Sequence, residues 1–491
     1  MNLTAHAKER HTIPRWNSIN LANRLGELNS AGTYEPNSIT GYGENLEQLL
    51  DEWKTEKNIP LAVEIISTVK ISKIDYNIDD IICFLKTSLR GVESIPPILS
   101  AFLTGEESDY NLISPEYGIK EIRAALINYP RNPLLWSELA RVYLIHGHKA
   151  KCEQAIRTAY QLAPNNRTIL RAISRFYAHI RDYDQAKYYL QKTPVLKTDP
   201  WILSAEIAIS NEAGKTSQHV KTGQRMLDSG DYDLHSLSEL ASELATLDFF
   251  SANAKQGKRK IERVLSTLHE NAAAQIVWID KHVQKIPSIV SEFHTPECNY
   301  EADTILEMGK HNWQAAVDNA TKWKSYQPFS SSPAMVISYL LSDYLLEYKK
   351  ACNVLCEAIK ANPNNAELLN NYAYALALVG DIVNAADTIK RAKKIDTSES
   401  CISIIATEGL VNYRQGNYED GKKLYDKAIV QAKKRNDQRT LFELYLHLAR
   451  EEKNCGNNAD EIIGQIYSPK FQIVREEFED VIKNFGLFNG S

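Results

Sequence analysis

Strand signals, charge of one sign, paired cysteines and long apolar runs are all scarce in this chain of 491 residues. No stretch of about 18 uncharged apolar residues occurs, so no membrane-spanning helix is expected. Lys and Arg number 57 against 62 Asp and Glu, a formal net charge of -5. A footprint for nucleic acid spread over the whole sequence would be basic, and this balance argues against one. The 7 Cys are scattered and odd in number, unlike the dense paired cysteines of a secreted scaffold. Reduced thiols in a cytosol follow. The N-terminus, MNLTAHAKERHTIPRW, carries charges where a signal peptide needs an apolar core, so a cytoplasmic protein is expected. Only 21 Gly and 17 Pro occur, most at positions suited to turns. Enzyme motifs are missing too: no P-loop, G-x-S-x-G, H-E-x-x-H or C-x-x-C is found. No catalytic residue and no cofactor is assigned.

What is present is helical rhythm. In Pro133–Asn166, the residues Trp136, Leu139, Ala140 and Tyr143 fall at i, i+3, i+4 and i+7, one face of a helix. Gly147 stands where that helix must end. Ala155, Ile156 and Ala159 mark the inner face of a second helix, which Pro164 closes. The pattern restarts with Leu170, Ile173 and Tyr177, then Asp182, Tyr183, Ala186 and Leu190. Trp136 to Leu170, Tyr143 to Tyr177 and Cys152 to Ala186 are each 34 residues by numbering. This period and order of residue types resemble the tetratricopeptide repeat (TPR), a helix-turn-helix unit. The resemblance implies an all-α fold, an α-solenoid of TPR-like helix pairs wound into a right-handed superhelix with a concave face. One pair cannot bury both apolar faces alone, and stacked neighbours share a continuous core, with Ala or Gly where backbones approach.

Six segments are expected along the chain. Residues 1–43 read as an N-terminal arm or cap, in which Trp16, Ile19, Leu21 and Leu25 make a docking helix or belong to a partly ordered arm. Residues 44–132 read as diverged helical repeats, with helices at Asn45–Lys54, Pro60–Ile71, Ile78–Leu89, Pro97–Leu103 and Tyr117–Asn128. A TPR-like array spans 133–285, an irregular connection with Pro287 and Pro296 spans 286–301, and a second array spans 302–468. In the second array Ala351, Leu355, Ala358, Ala373, Ala385, Gly409 and Gly421 take the close-packing positions. Residues 469–491 supply a capping helix over Phe471–Phe485.

Three clusters invite a chemical reading. His146, His148 and Cys152 are zinc-ligand types within seven residues, yet they straddle a repeat turn and Cys152 takes a small-residue position. Solvated turn histidines are favoured over a metal site, and no metal is assigned. Cys352 and Cys356 lie at i and i+4 beside core positions, which favours buried free thiols. The run Lys255–Lys260 reads as a solvated face, since Glu262 follows and aromatics are not interleaved.

The resemblance also implies where a ligand sits. In TPR arrays the first helix of each pair lines the groove, which points to Arg141 in one repeat and Arg171, Arg175 and His179 in the next. In the second array the same rule gives Asn370, Tyr374, Arg414, His447 and Arg450. Three arginines on neighbouring helices suit an acidic peptide or a C-terminal carboxylate, unless they pair with Glu138 or other acids of the array. The Lys/Asn/Arg clamp of chaperone-binding TPR proteins is not matched, because Ser137 stands where a Lys is needed. The function implied is a non-enzymatic scaffold, adaptor or regulator that binds another protein or peptide in the concave groove. The alternative is a nucleic-acid-associated helical-repeat protein using the groove arginines and Lys255–Lys260.

Overall fold

The structure is a computed structural model that describes residues 10–18, 40–55, 57, 61–62, 65, 69, 76–88, 115–128, 130–292, 299–396 and 401–488. Among the described residues the secondary structure is helical and contains no strand. None of the described helices is long and apolar enough to cross a membrane. The chain divides into two compact units, the first of Glu9–Leu306 with Ser325–Gln327, the second of Glu307–Lys324 with Pro328–Ser491.

In the first unit the helices are α1 (Thr40–Thr55), α2 (Asp79–Ser88), α3 (Pro115–Asn128), α4 (Pro133–Ile145), α5 (Lys149–Leu162), α6 (Arg167–His179), α7 (Tyr183–Lys192) and α8 (Pro200–Glu212). They continue with α9 (Val220–Ser229), α10 (Leu234–Phe250), α11 (Ala254–Val264), α12 (Glu270–His282), α13 (Pro287–Glu292) and α14 (Tyr300–Gly309), the last of which runs into the second unit. The second unit then holds α15 (Trp313–Tyr326) up to Lys324, α16 (Ser331–Tyr339), α17 (Tyr348–Ala361), α18 (Ala366–Val379), α19 (Ile382–Ile395), α20 (Ile402–Arg414), α21 (Tyr418–Lys434) and α22 (Gln438–Asn454). Three short helices end it, α23 (Asp460–Ile466), α24 (Gln472–Glu477) and α25 (Glu479–Asn484).

Local chemistry starts and stops these helices. The Asn132 side chain accepts from the backbone N–H of Leu134 and Leu135 ahead of Pro133, and Asp199 caps α8 in the same way ahead of Pro200. Asn166, Asp182, Asn365 and Asp381 cap α6, α7, α18 and α19. Each satisfies an N–H that would otherwise lack a partner. The turns between helices need a left-handed residue. Gly147 (φ 76°) and Arg181 (φ 61°) occupy that position one repeat apart, as do Leu346 (φ 56°) and Gly380 (φ 96°). By numbering both intervals are 34 residues, so the sequence period is written into the backbone.

Packing follows the solenoid rule within each unit. Each helix packs on its partner in the pair, and first helices touch the next first helix: α4 on α6, α6 on α8, α8 on α10 and α10 on α12. In the second unit α16 packs on α18, α18 on α20 and α20 on α22. Both units are therefore TPR-like helical repeats. Their cores are made of the expected small and branched residues, with Ala155, Ala159, Ala186, Ala351, Ala358 and Ala385 buried. At Gly421 an added Cβ would lie 2.5 Å from Tyr413 Cδ2 and 3.0 Å from the Gly409 carbonyl, so α20 and α21 meet only because these positions lack side chains.

Several expectations change. Trp16 lies on a non-helical segment instead of a docking helix. Trp136 is half-buried at the array surface, its indole N–H donating to the Pro130 carbonyl at 2.7 Å, so it is not a fully packed core residue. The expected single helix Phe471–Phe485 is two short helices separated at Phe478, whose ring packs 5.5 Å from Phe442. Ile19, Leu21, Leu25, the helix Pro97–Leu103 and most of Pro60–Ile71 lie outside the described residues.

Candidate functional site

The first unit presents the inner face of α4, α6, α8, α10, α12 and the start of α14. Helix α10 explains how that face acquires its chemistry. Its sequence, LHSLSELASELATLDFF, buries both sides, and Glu239 and Glu243 are fully inaccessible. A buried carboxylate needs donors or a cation. Glu239 finds them within the array: Arg171 grips both its oxygens at 2.9 and 3.0 Å, and His269 Nδ1 lies at 3.2 Å. Burial pushes the Glu239 pKa up, but the charges of Arg171 and His269 outweigh it and hold the carboxyl below its ordinary range.

Glu243 finds its donors in residues 10–18. His11 Nδ1 lies 2.7 Å from its Oε1, and the Thr12 N–H and hydroxyl donate to Oε2 at 2.8 and 3.0 Å. The remaining donor is Asn211 of α8 at 3.1 Å. Burial again works against the charge, and the interactions with His11, Thr12 and Asn211 prevail, leaving the pKa lowered.

The rest of the segment is held the same way. Arg10 donates to both oxygens of Glu301, at 3.0 and 3.1 Å, and to the side chains of Gln275 and Asn271. Gln275 and Asn271 in turn donate to the main-chain carbonyls of Arg10 and Ile13, at 2.5 and 3.1 Å. Arg15 bridges Glu301 and Glu270 at 2.5 and 3.0 Å. Its burial opposes the charge, and Glu270, Glu301 and Glu239 more than compensate, so its pKa rises. Asn17 donates to Glu270, and Ser18 to Glu138 of α4. His11, Thr12 and Trp16 are buried. Every groove residue in these contacts belongs to a first helix of a pair or to α14.

The sequence-derived residues sit on this face, but not as an open basic patch. Arg141 is buried and paired with Glu138, its Nε 3.0 and 3.1 Å from the two oxygens. Arg171 is locked on Glu239 and stacked 4.9 Å from the Trp201 ring. Arg175 is half-buried, and desolvation lowers its pKa to about 10 despite Glu212. His179 closes the last turn of α6. Of the two readings left open for these arginines, pairing within the array describes Arg141, on Glu138, and Arg171, on Glu239. The face that meets residues 10–18 is carboxylate-rich.

In the second unit four of the expected residues converge. Tyr374 donates to Asp343 at 2.7 Å, lies 3.1 Å from His447 Nδ1 and accepts from Arg450 at 3.1 Å. Arg450 and Arg414 share Glu451 at 2.8 and 3.0 Å. Asn370 is buried on the same helix as Tyr374 and donates to Asn371 at 3.3 Å. Beside them Tyr374, Thr407, Tyr425, Thr440, Glu443 and His447 line a cavity of about 30 Å³, the room of one water. Burial pushes the Glu443 carboxyl up to about 7 even with Arg439 at 3.5 Å.

Elsewhere, Cys152 is buried in its small-residue position, where burial raises its thiol pKa, and His146 and His148 stack on each other at 6.3 Å. Among the described residues no group of three or more metal-ligand side chains clusters. Burial lifts Cys352 to about 11, while Cys356 is exposed. Lys255 and Arg259 are exposed on α11, a second helix, and Lys260 is paired with Asp248.

Sequence reasoning missed His11, Thr12, Arg15, Glu243, Glu270 and Glu301. One signal was available: a glutamate every fourth residue in an otherwise apolar and small-residue helix, as at Glu239 and Glu243, marks buried carboxylates that need cationic partners.

Comparison with protein-family models gives no match, and comparison with curated proteins gives none. Among solved structures the chain is similar to the crystal structure of yeast Tom70, with 12% identity, covering 76% of this chain and 92% of that one at a TM-score of 0.29. A superposition that loose carries no argument about function.

Proposed function

We propose that this protein is a non-enzymatic interaction scaffold whose helical-repeat units hold polypeptide segments of a partner against their first helices. One observation carries the reading: Arg10–Ser18, a non-helical segment, meets α4, α8, α10, α12 and α14 of the first unit and is gripped through its main chain as well as its side chains. Main-chain recognition of this kind accepts a polypeptide, and side-chain pockets then select among sequences. The second unit supports the same reading, with Tyr374, Arg450 and Arg414 linked through hydrogen bonds and the shared Glu451 on first helices.

The second unit is where the reading is tested without disturbing residues 10–18. Peptides are selected from a random display library on the full chain and remade synthetically. Ser403, half-buried at the cavity on α20, is replaced by Trp, and the exposed Val383 on α19 serves as control. Selected peptides that bind the second unit lose at least about tenfold in affinity with Ser403→Trp and nothing with Val383→Trp. Selection that yields no peptide sensitive to a first-helix substitution in either unit overturns the proposal.

A further inference from the structure

We infer that the first unit is a docking site for a basic, non-helical partner segment, and that Arg10–Ser18 is its built-in competitor. The inference rests on the scaffold reading and adds the ligand class and its regulation.

Charge decides the ligand class. Glu270 and Glu301 turn to the segment for their cations, Arg15 and Arg10, and Glu243 turns to it for the His11 ring and the Thr12 N–H. With the segment in place these side chains are largely covered, Glu243 at 0%, Glu270 at 4% and Glu301 at 12% exposure. Beneath an occupant that covers them without supplying these partners, each would be a buried carboxylate short of its main partner, which is strongly unfavourable. An acidic or neutral strand would leave that deficit in place. A replacement therefore has to bring cations at the positions of Arg10 and Arg15, with a hydrogen-bond donor to Glu243 at the position of His11. Main-chain groups are matched separately, by Gln275 on the Arg10 carbonyl, Asn271 on the Ile13 carbonyl and Glu243 on the Thr12 N–H. These contacts accept any residue type except proline at the Thr12 position. Trp16, buried at 3% exposure, adds an aromatic anchor.

Competition follows from covalent attachment. A segment tethered to its own site acts at an effective concentration in the millimolar range, so a free strand of equal intrinsic affinity is excluded until it exceeds that concentration. A partner gains the site by binding more tightly than Arg10–Ser18 or when the segment is withdrawn.

The test uses the full chain with a protease recognition sequence inserted between Asn29 and Ser30. The folded protein is compared uncut and after cleavage, with a fluorescent peptide of the sequence ERHTIPRWNS as probe and anisotropy as readout. Cleavage is expected to raise the apparent affinity for the probe about 100-fold, with one site per chain. A probe with both arginines replaced by Glu is expected not to bind. His11→Ala in the uncut chain weakens the tethered segment and is expected to admit the probe without cleavage. Equal uptake by cut and uncut protein, or equal binding of the charge-reversed probe, overturns the inference. So does a cut protein that retains its own segment for days in excess probe, which identifies a permanent strap. None of these outcomes touches the peptide selection on the second unit, so the scaffold reading stands or falls separately.

Discussion

Replacing Glu243 by Gln changes one atom of a buried carboxylate and should release the N-terminal segment. Glu243 accepts from four donors: His11 Nδ1, the Thr12 N–H, the Thr12 hydroxyl and the Asn211 amide. Glutamine keeps one acceptor oxygen and turns an NH₂ toward donors. Hydrogen bonds to a charged acceptor contribute ~1.5–3 kcal/mol each, so losing two of them costs ~3–6 kcal/mol. The loss falls on docking of residues 10–18, because three of the four donors lie there. Hydrogen-exchange mass spectrometry on the peptide covering this segment reads it directly. With ~1.4 kcal/mol per factor of ten, the Thr12 amide should exchange roughly 10²- to 10⁴-fold faster. A cycle with His11→Ala should show a coupling of ~1–3 kcal/mol between the two sites. Unchanged exchange, or single effects that simply add, would refute the view that Glu243 holds the segment.

Three further outcomes are expected. Arg171→Glu faces Glu239 with a second buried carboxylate and should cost ~3–5 kcal/mol in urea unfolding followed by tryptophan fluorescence, with an unchanged midpoint counting against the pair. Gly421→Ala pushes a Cβ into Tyr413 and should lower stability of the second unit by ~1–3 kcal/mol, where a neutral result would mean that α20 and α21 separate freely. Glu443 titrates near 7 in the fold and near its ordinary value unfolded, so the folded state binds the extra proton between those values. Stability from this group is full below pH ~4.5 and is lost as pH rises toward 7, by roughly 3 kcal/mol in all. Glu443→Gln should flatten that part of the pH profile, and an unaltered slope between pH 5 and 7 would refute the uptake of a proton by Glu443 on folding. Glu239 and Glu243 act in the opposite sense: their lowered pKa values stabilise the first unit above the ordinary carboxylate range, and that stability is lost as pH falls below it.

The helix pairs were legible because their causes are local. Asn132, Asn166 and Asn365 cap helices whose first N–H groups lie two or three residues away, and Gly147 and Gly380 end helices through their own φ. The same locality let Tyr374, Arg414 and Arg450 be placed on first helices. It also misled: Trp136 keeps the right periodicity yet sits half-exposed, since periodicity names a face and not what covers it. The charge state of the groove was not legible. Arg171 answers to Glu239, 68 residues on, and no spacing rule links them.

By itself the sequence determined an all-α chain of repeated helix pairs, because hydrophobic period, caps and turn residues act within about one helical turn of where they stand. Only the tertiary structure decided what lies against the first-unit face. His11 meets Glu243 across 232 residues and Arg15 meets Glu301 across 286. Stacking carries single carboxylates from separate pairs onto one face, and burial then compels each to find a cation. An array that reads as arginine-lined along the chain is, once folded, a carboxylate-rich groove occupied by its own basic strand.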